Sequence, residues 1–151
     1  MTPELMIGWG KFGGAAALAF GAMGSALGAG AAGPAAIGAW KKCFAQGKAA
    51  PFILVTFIGA PLSQTIYGMI LMNSIAEAVK NTPTSFPMMI AVGVFGGIAI
   101  GLSAWYQGVI GAAAADAQAE TGKGFGNYLM GLGIAETVAL LVMVFSMMAI
   151  K

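Results

Sequence analysis

The chain has 151 residues, enough for one domain, and a formal net charge of only +2. Hydrophobic residues make up 59% of it and charged residues 8%, whereas a soluble domain carries about 25% charged residues. This composition predicts an integral membrane protein. The net charge is too small to argue for a nucleic-acid partner, and the sequence contains no basic patch. A single cysteine, Cys43, excludes an internal disulfide, and without histidine a transition-metal site is not expected.

Four long apolar segments divide the chain, at about 5–40, 51–79, 86–115 and 125–150. Each reaches the roughly 20 residues that a helix needs to span a bilayer, whereas strands of a membrane barrel would alternate polar and apolar residues. The sequence therefore predicts an all-α membrane protein with transmembrane helices. We expect the first segment to be a retained membrane helix and not a signal peptide, because its first charge, Glu4, is acidic.

The breaks between these segments hold turn and charge signals, which predicts two tandem helical hairpins, residues 1–82 and 83–151. Asp116 and Glu120 are expected to be solvated charges in the last break. The lysines at the two hairpin loops are Lys41, Lys42, Lys48 and Lys123, and those on the opposite side are Lys11, Lys80 and Lys151. The excess at the loops predicts that both loops are cytoplasmic and that both termini lie on the other side of the cell membrane.

The first and third apolar segments are rich in small residues. Gly24 and Gly28 form a GxxxG pair, as do Gly93 and Gly97, and such faces let helix backbones approach closely in lipid. Residues 28–33 also match GxGxxG, but no strand precedes them, so a dinucleotide site is not expected. The chain contains no P-loop motif, and we expect neither an ATP site nor an organic cofactor.

The chain contains an internal duplication. Residues 57–66 align with residues 129–138 at an offset of 136 − 64 = 72 positions. At an offset of 103 − 25 = 78, the first helix aligns with the third through the pairs Ser25/Ser103, Gly30/Gly108 and Gly33/Gly111. The two repeats differ at one decisive position, because Gln64 stands where the second repeat has Glu136.

Glu136 lies in the middle of the apolar segment 125–150, with no basic residue near it in sequence. A charge at this depth of a bilayer costs about 2.5–3.5 kcal/mol on insertion scales, so such residues are rare and by default functional. The third helix adds a second polar group, Gln107, inside its own apolar run. The sequence therefore predicts that Glu136 is the centre of a site.

The second helix carries several polar groups on one face. Ala60, Ser63, Gln64 and Tyr67 have the spacing i, i+3, i+4, i+7, which places them on the same side of a helix. Pro61 removes a backbone donor and predicts a kink, and a kink can turn a carbonyl outward to line a site.

If the two hairpins pack together, these groups supply oxygens from two amides, a hydroxyl, a carboxylate and a backbone carbonyl. Such a donor set suits a hard cation, and the single negative charge balances a monovalent ion better than a divalent one. The sequence therefore favours reversible Na⁺ binding at Glu136. Binding of H⁺ is the alternative, although a protonated Glu136 needs fewer oxygen ligands. Tyr67 is expected to donate a hydrogen bond to the carboxylate when the ion is bound.

The pattern Pro61-Leu62-Ser63-Gln64-Thr65-Ile66-Tyr67, with Gln107 and Glu136 downstream, resembles the sixteen-kilodalton proteolipid of V-type rotary ATPases, and most closely its bacterial sodium-pumping branch. The resemblance covers essentially the whole chain, including the duplication. It implies a membrane rotor ring of identical copies whose second-hairpin glutamate carries the ion, while other subunits hydrolyse ATP. It also implies two partners, a stator subunit with a membrane arginine and a central-stalk subunit.

The resemblance further implies a set of Na⁺ ligands. They are the Ala60 carbonyl and the side chains of Ser63, Gln64, Gln107 and Glu136, with Tyr67 bonded to the glutamate. Ser63 stands where the sodium-binding relatives have Thr, but serine keeps the oxygen. Ala60 replaces a larger apolar residue, which should not matter for a carbonyl ligand. The small-residue helices would line the ring interior, with the second and fourth helices outside.

Three other functions remain open at this point. The first is an H⁺-translocating rotor subunit of the same family. The second is a small proton-coupled multidrug exporter, which also has four helices and one membrane glutamate. Its substrate site should be lined by aromatic residues, whereas Gly, Ala and Gln surround Glu136 here. The third is a structural, pore-forming proteolipid without ion coupling.

Overall fold

The computed structural model describes residues 1–150, and all the regular structure in this range is helical. Four helices are long and apolar enough to cross a membrane, so the predicted all-α fold with four spans is confirmed. They are α1 (Pro3–Ala45), α2 (Phe52–Asn81), α3 (Phe86–Thr121) and α4 (Phe125–Ala149). A short 3₁₀ turn, Pro83–Ser85, precedes α3. Within α2, 3₁₀ turns at Phe52–Leu54 and Ala60–Leu62 alternate with α-helix at Val55–Gly59 and Ser63–Asn81.

α1 and α3 extend several residues beyond the apolar segments that the sequence defines, whereas α4 matches its segment to within one residue. Asp116 and Glu120 are exposed, as predicted, but they lie on the last turns of α3 and not in the break that follows. Backbone hydrogen bonding of a helix continues through its first charged residues and ends only at a residue that disfavours the helical conformation. In α3 that residue is Gly122, whose φ of 65° lies in the left-handed region that favours glycine.

α1 and α3 pack backbone to backbone along much of their length. An added Cβ at Gly24 would collide with the backbone of Gly101, and one at Gly28 would collide with the Ala104 carbonyl. The small residues of the sequence therefore lie at this interface, where they let the two helices approach more closely than side chains would allow.

Gly24→Ala is expected to destabilise the folded chain by about 1–3 kcal/mol, because the new methyl group meets immovable backbone and forces the helices apart. Gly30→Ala is the matched control on the same helix, since no atom of residues 1–150 outside that helix lies within 4 Å of a Cβ at Gly30. The thermal unfolding midpoint in detergent measures both. A G24A midpoint equal to that of G30A would contradict this account of the interface.

The other two helices lie against this central pair. α2 packs mainly on α1 and α4 mainly on α3, with further contacts of α2 to α3 and α4. Two apolar clusters fill the bundle, one towards the chain termini and one towards the hairpin loops. The first includes Leu71, Ile100 and Ala139 (of α2, α3 and α4, respectively), and the second includes Phe57, Ala114 and Leu132. In α2, α3 and α4 the residues Gln64, Gln107 and Glu136 lie between these clusters, so the site is near the middle of the bundle.

Candidate functional site

Pro61 shapes the part of α2 that faces the site. Because proline has no N–H to donate, the α-helix is interrupted, and residues Ala60–Leu62 form a 3₁₀ turn. The Ala60 carbonyl accepts the backbone N–H of Ser63 and lies 3.1 Å from the Ser63 hydroxyl. The predicted kink therefore takes the form of a local tightening of the helix.

Three oxygens meet just after this turn. The Ser63 Oγ lies 3.1 Å from the Ala60 carbonyl oxygen and 3.1 Å from Gln64 Oε1. A serine hydroxyl has one proton and can donate to only one of these two acceptors at a time. The arrangement therefore leaves one oxygen–oxygen contact without a proton, which a bound cation would satisfy.

Two buried glutamines connect α2 to the carboxylate. Both Gln64 and Gln107 are 0% exposed. Gln64 Nε2 donates to Gln107 Oε1 at 2.8 Å, and Gln107 Nε2 donates to the Leu132 carbonyl at 3.1 Å and to Glu136 Oε2 at 3.3 Å. The chain of bonds joins α2, α3 and α4 across the middle of the bundle.

Tyr67 bonds the other oxygen of the same carboxylate. Its hydroxyl donates to Glu136 Oε1 at 2.6 Å, a short bond of the kind formed with a charged acceptor. Glu136 is half-buried and has no cationic partner among residues 1–150. The one ion pair in these residues joins Lys42 and Glu120 near the hairpin loops. The carboxylate is thus held by two neutral donors, Tyr67 and Gln107.

The structure brings all the residues singled out in the sequence to one place, with one difference in detail. The sequence predicts that Gln107 offers its oxygen as a ligand, but its amide nitrogen faces Glu136 and its oxygen faces Gln64. Half a turn about the last torsion of the side chain exchanges these two atoms. The position of Gln107 suits either role, as a link between Gln64 and Glu136 or as an oxygen ligand.

Ser103 makes a contact that the sequence did not predict. It is buried on α3, and its hydroxyl donates to the Ala135 carbonyl at 2.6 Å, one residue before Glu136. Its counterpart in the first repeat, Ser25, accepts a hydrogen bond from Thr65 at 2.9 Å. The alignment of Ser25 with Ser103 was the available signal, since both are polar residues kept inside apolar helices.

The donor set of the site is made of oxygen atoms. No group of three or more His, Cys, Asp or Glu side chains that could hold a metal ion occurs within residues 1–150. One carboxylate, two amides, a hydroxyl and a carbonyl suit a hard cation, which takes oxygen ligands, far better than a transition metal.

Residues 90–149, which span most of α3 and all of α4, match the family model for the C subunit of ATP synthase. The second hairpin is similar to that family. The matched part contains Gln107 and Glu136 but neither α1 nor α2, so it covers less than half of the chain. The match supports the resemblance to rotary-ATPase proteolipids, a family whose members form rotor rings. No curated protein matches the chain.

Proposed function

We propose that the chain is the membrane rotor subunit of a V-type rotary ATPase and carries Na⁺ on Glu136. The observation that carries this proposal is the position of one carboxylate at mid-bundle, bonded by Tyr67 and Gln107, within a site whose other oxygens come from α2. An acid without a cationic partner is costly inside a membrane unless it binds something. The similarity of the second hairpin to the C subunit of ATP synthase supports the rotor role.

The duplication favours the V-type branch of rotary ATPases. Four spans carry a single membrane carboxylate, because the first repeat has Gln64 where the second has Glu136. One ion per four helices lowers the number of ions moved per ATP hydrolysed. Such a ratio suits pumping against a gradient better than ATP synthesis.

The oxygens beside Ser63 favour Na⁺ over H⁺. Ligands at about 2.4 Å from one cation lie roughly 3–4 Å from each other, and the Ser63 hydroxyl lies 3.1 Å from both of its oxygen neighbours. A transported proton would need only the carboxylate. The proposed ligands are the oxygens of Ala60, Ser63, Gln64 and Glu136, with Gln107 joining them after its amide turns.

The transport cycle follows from charge. Na⁺ binds when Glu136 is ionised, and the neutral pair can then pass through the lipid as the ring rotates. Tyr67 keeps the carboxylate facing inward during this passage. The arginine of a stator subunit would compete for the carboxylate and release the ion. Identical copies would pack through α1 and α3 towards the ring interior, with the hairpin loops touching the central stalk on the cytoplasmic side.

Protection of Glu136 from a carbodiimide tests the proposal. This reagent modifies protonated buried carboxyl groups, so bound Na⁺ should slow modification of Glu136 in the purified oligomer. The protection should grow as the pH is raised, because Na⁺ and H⁺ compete for the same carboxylate. Potassium chloride at the same ionic strength is the control.

Modification of Glu136 that proceeds at one rate with Na⁺ and with K⁺ would favour the proton-carrying rotor. A purified protein that never forms a large ring would instead contradict the rotor role and favour the exporter. Mass analysis of the intact oligomer distinguishes a ring from a monomer or dimer.

A further inference from the structure

A cavity of about 580 Å³ lies at the end of the bundle that carries the chain termini. It is bounded by the last turns of α2, the turn into α3 and the last turn of α4. One wall is polar and is formed by Ser74, Glu77, Asn81, Thr82 and Ser85. The rest of the lining is apolar and comes from α2, the start of α3 and the end of α4 (Ala78, Met88, Met89, Met147, Ala149 and Ile150). We call this cavity the vestibule.

The vestibule lies directly in line with the ion site. Tyr67, Ser74 and Asn81 are spaced by seven residues, or two helical turns, so they occupy the same face of α2. On α4 the same spacing leads from Glu136 to Met143. The face of α2 that carries Tyr67 and the face of α4 that carries Glu136 therefore both lead towards the vestibule.

A short apolar seal separates the two. Ser74 follows Tyr67 by seven positions, which corresponds to about 10 Å along α2. Tyr67 and Met143 are partly buried there, packed against the apolar cluster that contains Leu71, which is 0% exposed. Methionine is flexible and can change rotamer without loss of packing, so Met143 is suited to a seal that opens.

We propose that the vestibule is a water-filled access path through which Na⁺ reaches Glu136 from the terminal end of the bundle. Its polar wall favours water over lipid, because hydroxyl, amide and carboxylate groups lose hydrogen bonds in hydrocarbon. Glu77 is exposed on that wall and raises the local concentration of cations.

This inference rests on the proposed function and adds to it a part of the ion path that the rotor subunit itself supplies. Tyr67 is the first polar group between the vestibule and the oxygens of Ala60, Ser63 and Gln64. Movement of Tyr67 and Met143 would connect the vestibule to the site, so a partner subunit would need to open only the seal.

Thiol accessibility in the assembled oligomer, reconstituted in lipid vesicles, tests the path. Cys43 is the only cysteine and is first replaced by alanine. Single cysteines are then introduced as Ser74→Cys in the vestibule, Ile70→Cys one turn closer to Tyr67 along α2, and Phe145→Cys on the outer surface of α4. Phe145 is 60% exposed but does not line the cavity, so it reports exposure to lipid alone.

A charged, water-soluble methanethiosulfonate should modify S74C at least about tenfold faster than I70C or F145C. The cationic reagent should react with S74C faster than an anionic one, and Glu77→Gln should reduce that preference, since local potentials change ion concentrations by about tenfold or more. Modified S74C should also exchange ²²Na⁺ at Glu136 more slowly than the unmodified oligomer.

Asn81→Cys, nearer the end of α2, shows that the reagent reaches this end of the bundle. If N81C reacts fast while S74C and F145C react equally slowly, lipid or a neighbouring copy fills the cavity, and the inference is overturned. Unchanged ²²Na⁺ exchange after full modification of S74C would overturn it as well. Failure of the proposed function is a separate result, because it is the absence of Na⁺ binding in the unmodified oligomer.

Discussion

Glu136→Gln should abolish measurable Na⁺ binding, lowering the affinity by at least about a hundredfold, because it removes the only charge that balances the ion inside the bundle. The amide keeps the size of the side chain and can still accept a hydrogen bond from Tyr67, so the fold should persist. Binding of ²²Na⁺ to the purified oligomer measures the loss. In the assembled ATPase, ATP-driven Na⁺ uptake into vesicles should cease.

Two further variants sharpen this test. Glu136→Asp keeps the charge but shortens the side chain and withdraws the carboxylate from Tyr67, so its affinity should fall between those of the wild type and E136Q. Glu120→Gln is the matched control, because this exposed acid pairs with Lys42 at 3.9 Å near the loops, far from the site. Retention of Na⁺ binding by E136Q in a folded oligomer would refute Glu136 as the carrier.

The second large effect is expected from Gln107→Leu. This change preserves much of the side-chain volume but removes the hydrogen bonds to Gln64, Leu132 and Glu136. Glu136 then loses one of its two donors, and Gln64 is left with an unpaired amide. Gln107→Leu also removes the amide oxygen that would join the Na⁺ ligands after the amide turns. Because interactions with charged groups contribute about 1.5–3 kcal/mol, Na⁺ affinity should fall by about tenfold to a hundredfold.

The chain offers a close control for Gln107→Leu in another buried glutamine of α3. Gln118 is 7% exposed, and its Oε1 has no hydrogen-bond partner within residues 1–150. Gln118→Leu should therefore leave Na⁺ affinity unchanged and should not destabilise the fold. If Q118L and Q107L weaken ²²Na⁺ binding equally, the effect of Gln107 is not specific to the site.

The two variants separate two contributions to the site. In the proposed site, Glu136 supplies the charge that balances Na⁺, and Gln107 holds that charge in position relative to α2. E136Q should lose binding at every Na⁺ concentration tested, whereas Q107L should recover it at high Na⁺. Titration with Na⁺ over several orders of magnitude distinguishes the two outcomes.

Much of the fold could be predicted from the sequence because the relevant signals are local. The length of each apolar run determines that four helices can span a bilayer, and the small residues of α1 and α3 indicate which helices approach most closely. The helix ends are less predictable, since the charges of Asp116 and Glu120 suggest a loop where α3 continues. Both charges can be solvated on a helix that extends beyond the hydrocarbon core of the membrane, and α3 ends only at Gly122.

The sequence also predicted that the polar groups of the site lie together and that Tyr67 donates to Glu136, but it did not predict the orientation of the Gln107 amide. Helical spacing places Ser63, Gln64 and Tyr67 on one face, and the lone acid in an apolar segment identifies Glu136. Which amide atom of Gln107 faces Glu136 depends on the rotation of three helices relative to one another. The Ser103 bond to the Ala135 carbonyl and the vestibule depend on the same rotation and on the depth of packing.

The sequence by itself determined the number of membrane spans, the duplication and the identity of the single membrane carboxylate, because each follows from the composition and spacing of residues along the chain. Only the tertiary structure decided how the two donors to that carboxylate are oriented and where a cavity forms in the bundle. The close approach of α1 and α3 at Gly24 and Gly101 sets where α2 and α4 lie, and this placement brings Tyr67 and Gln107 to Glu136.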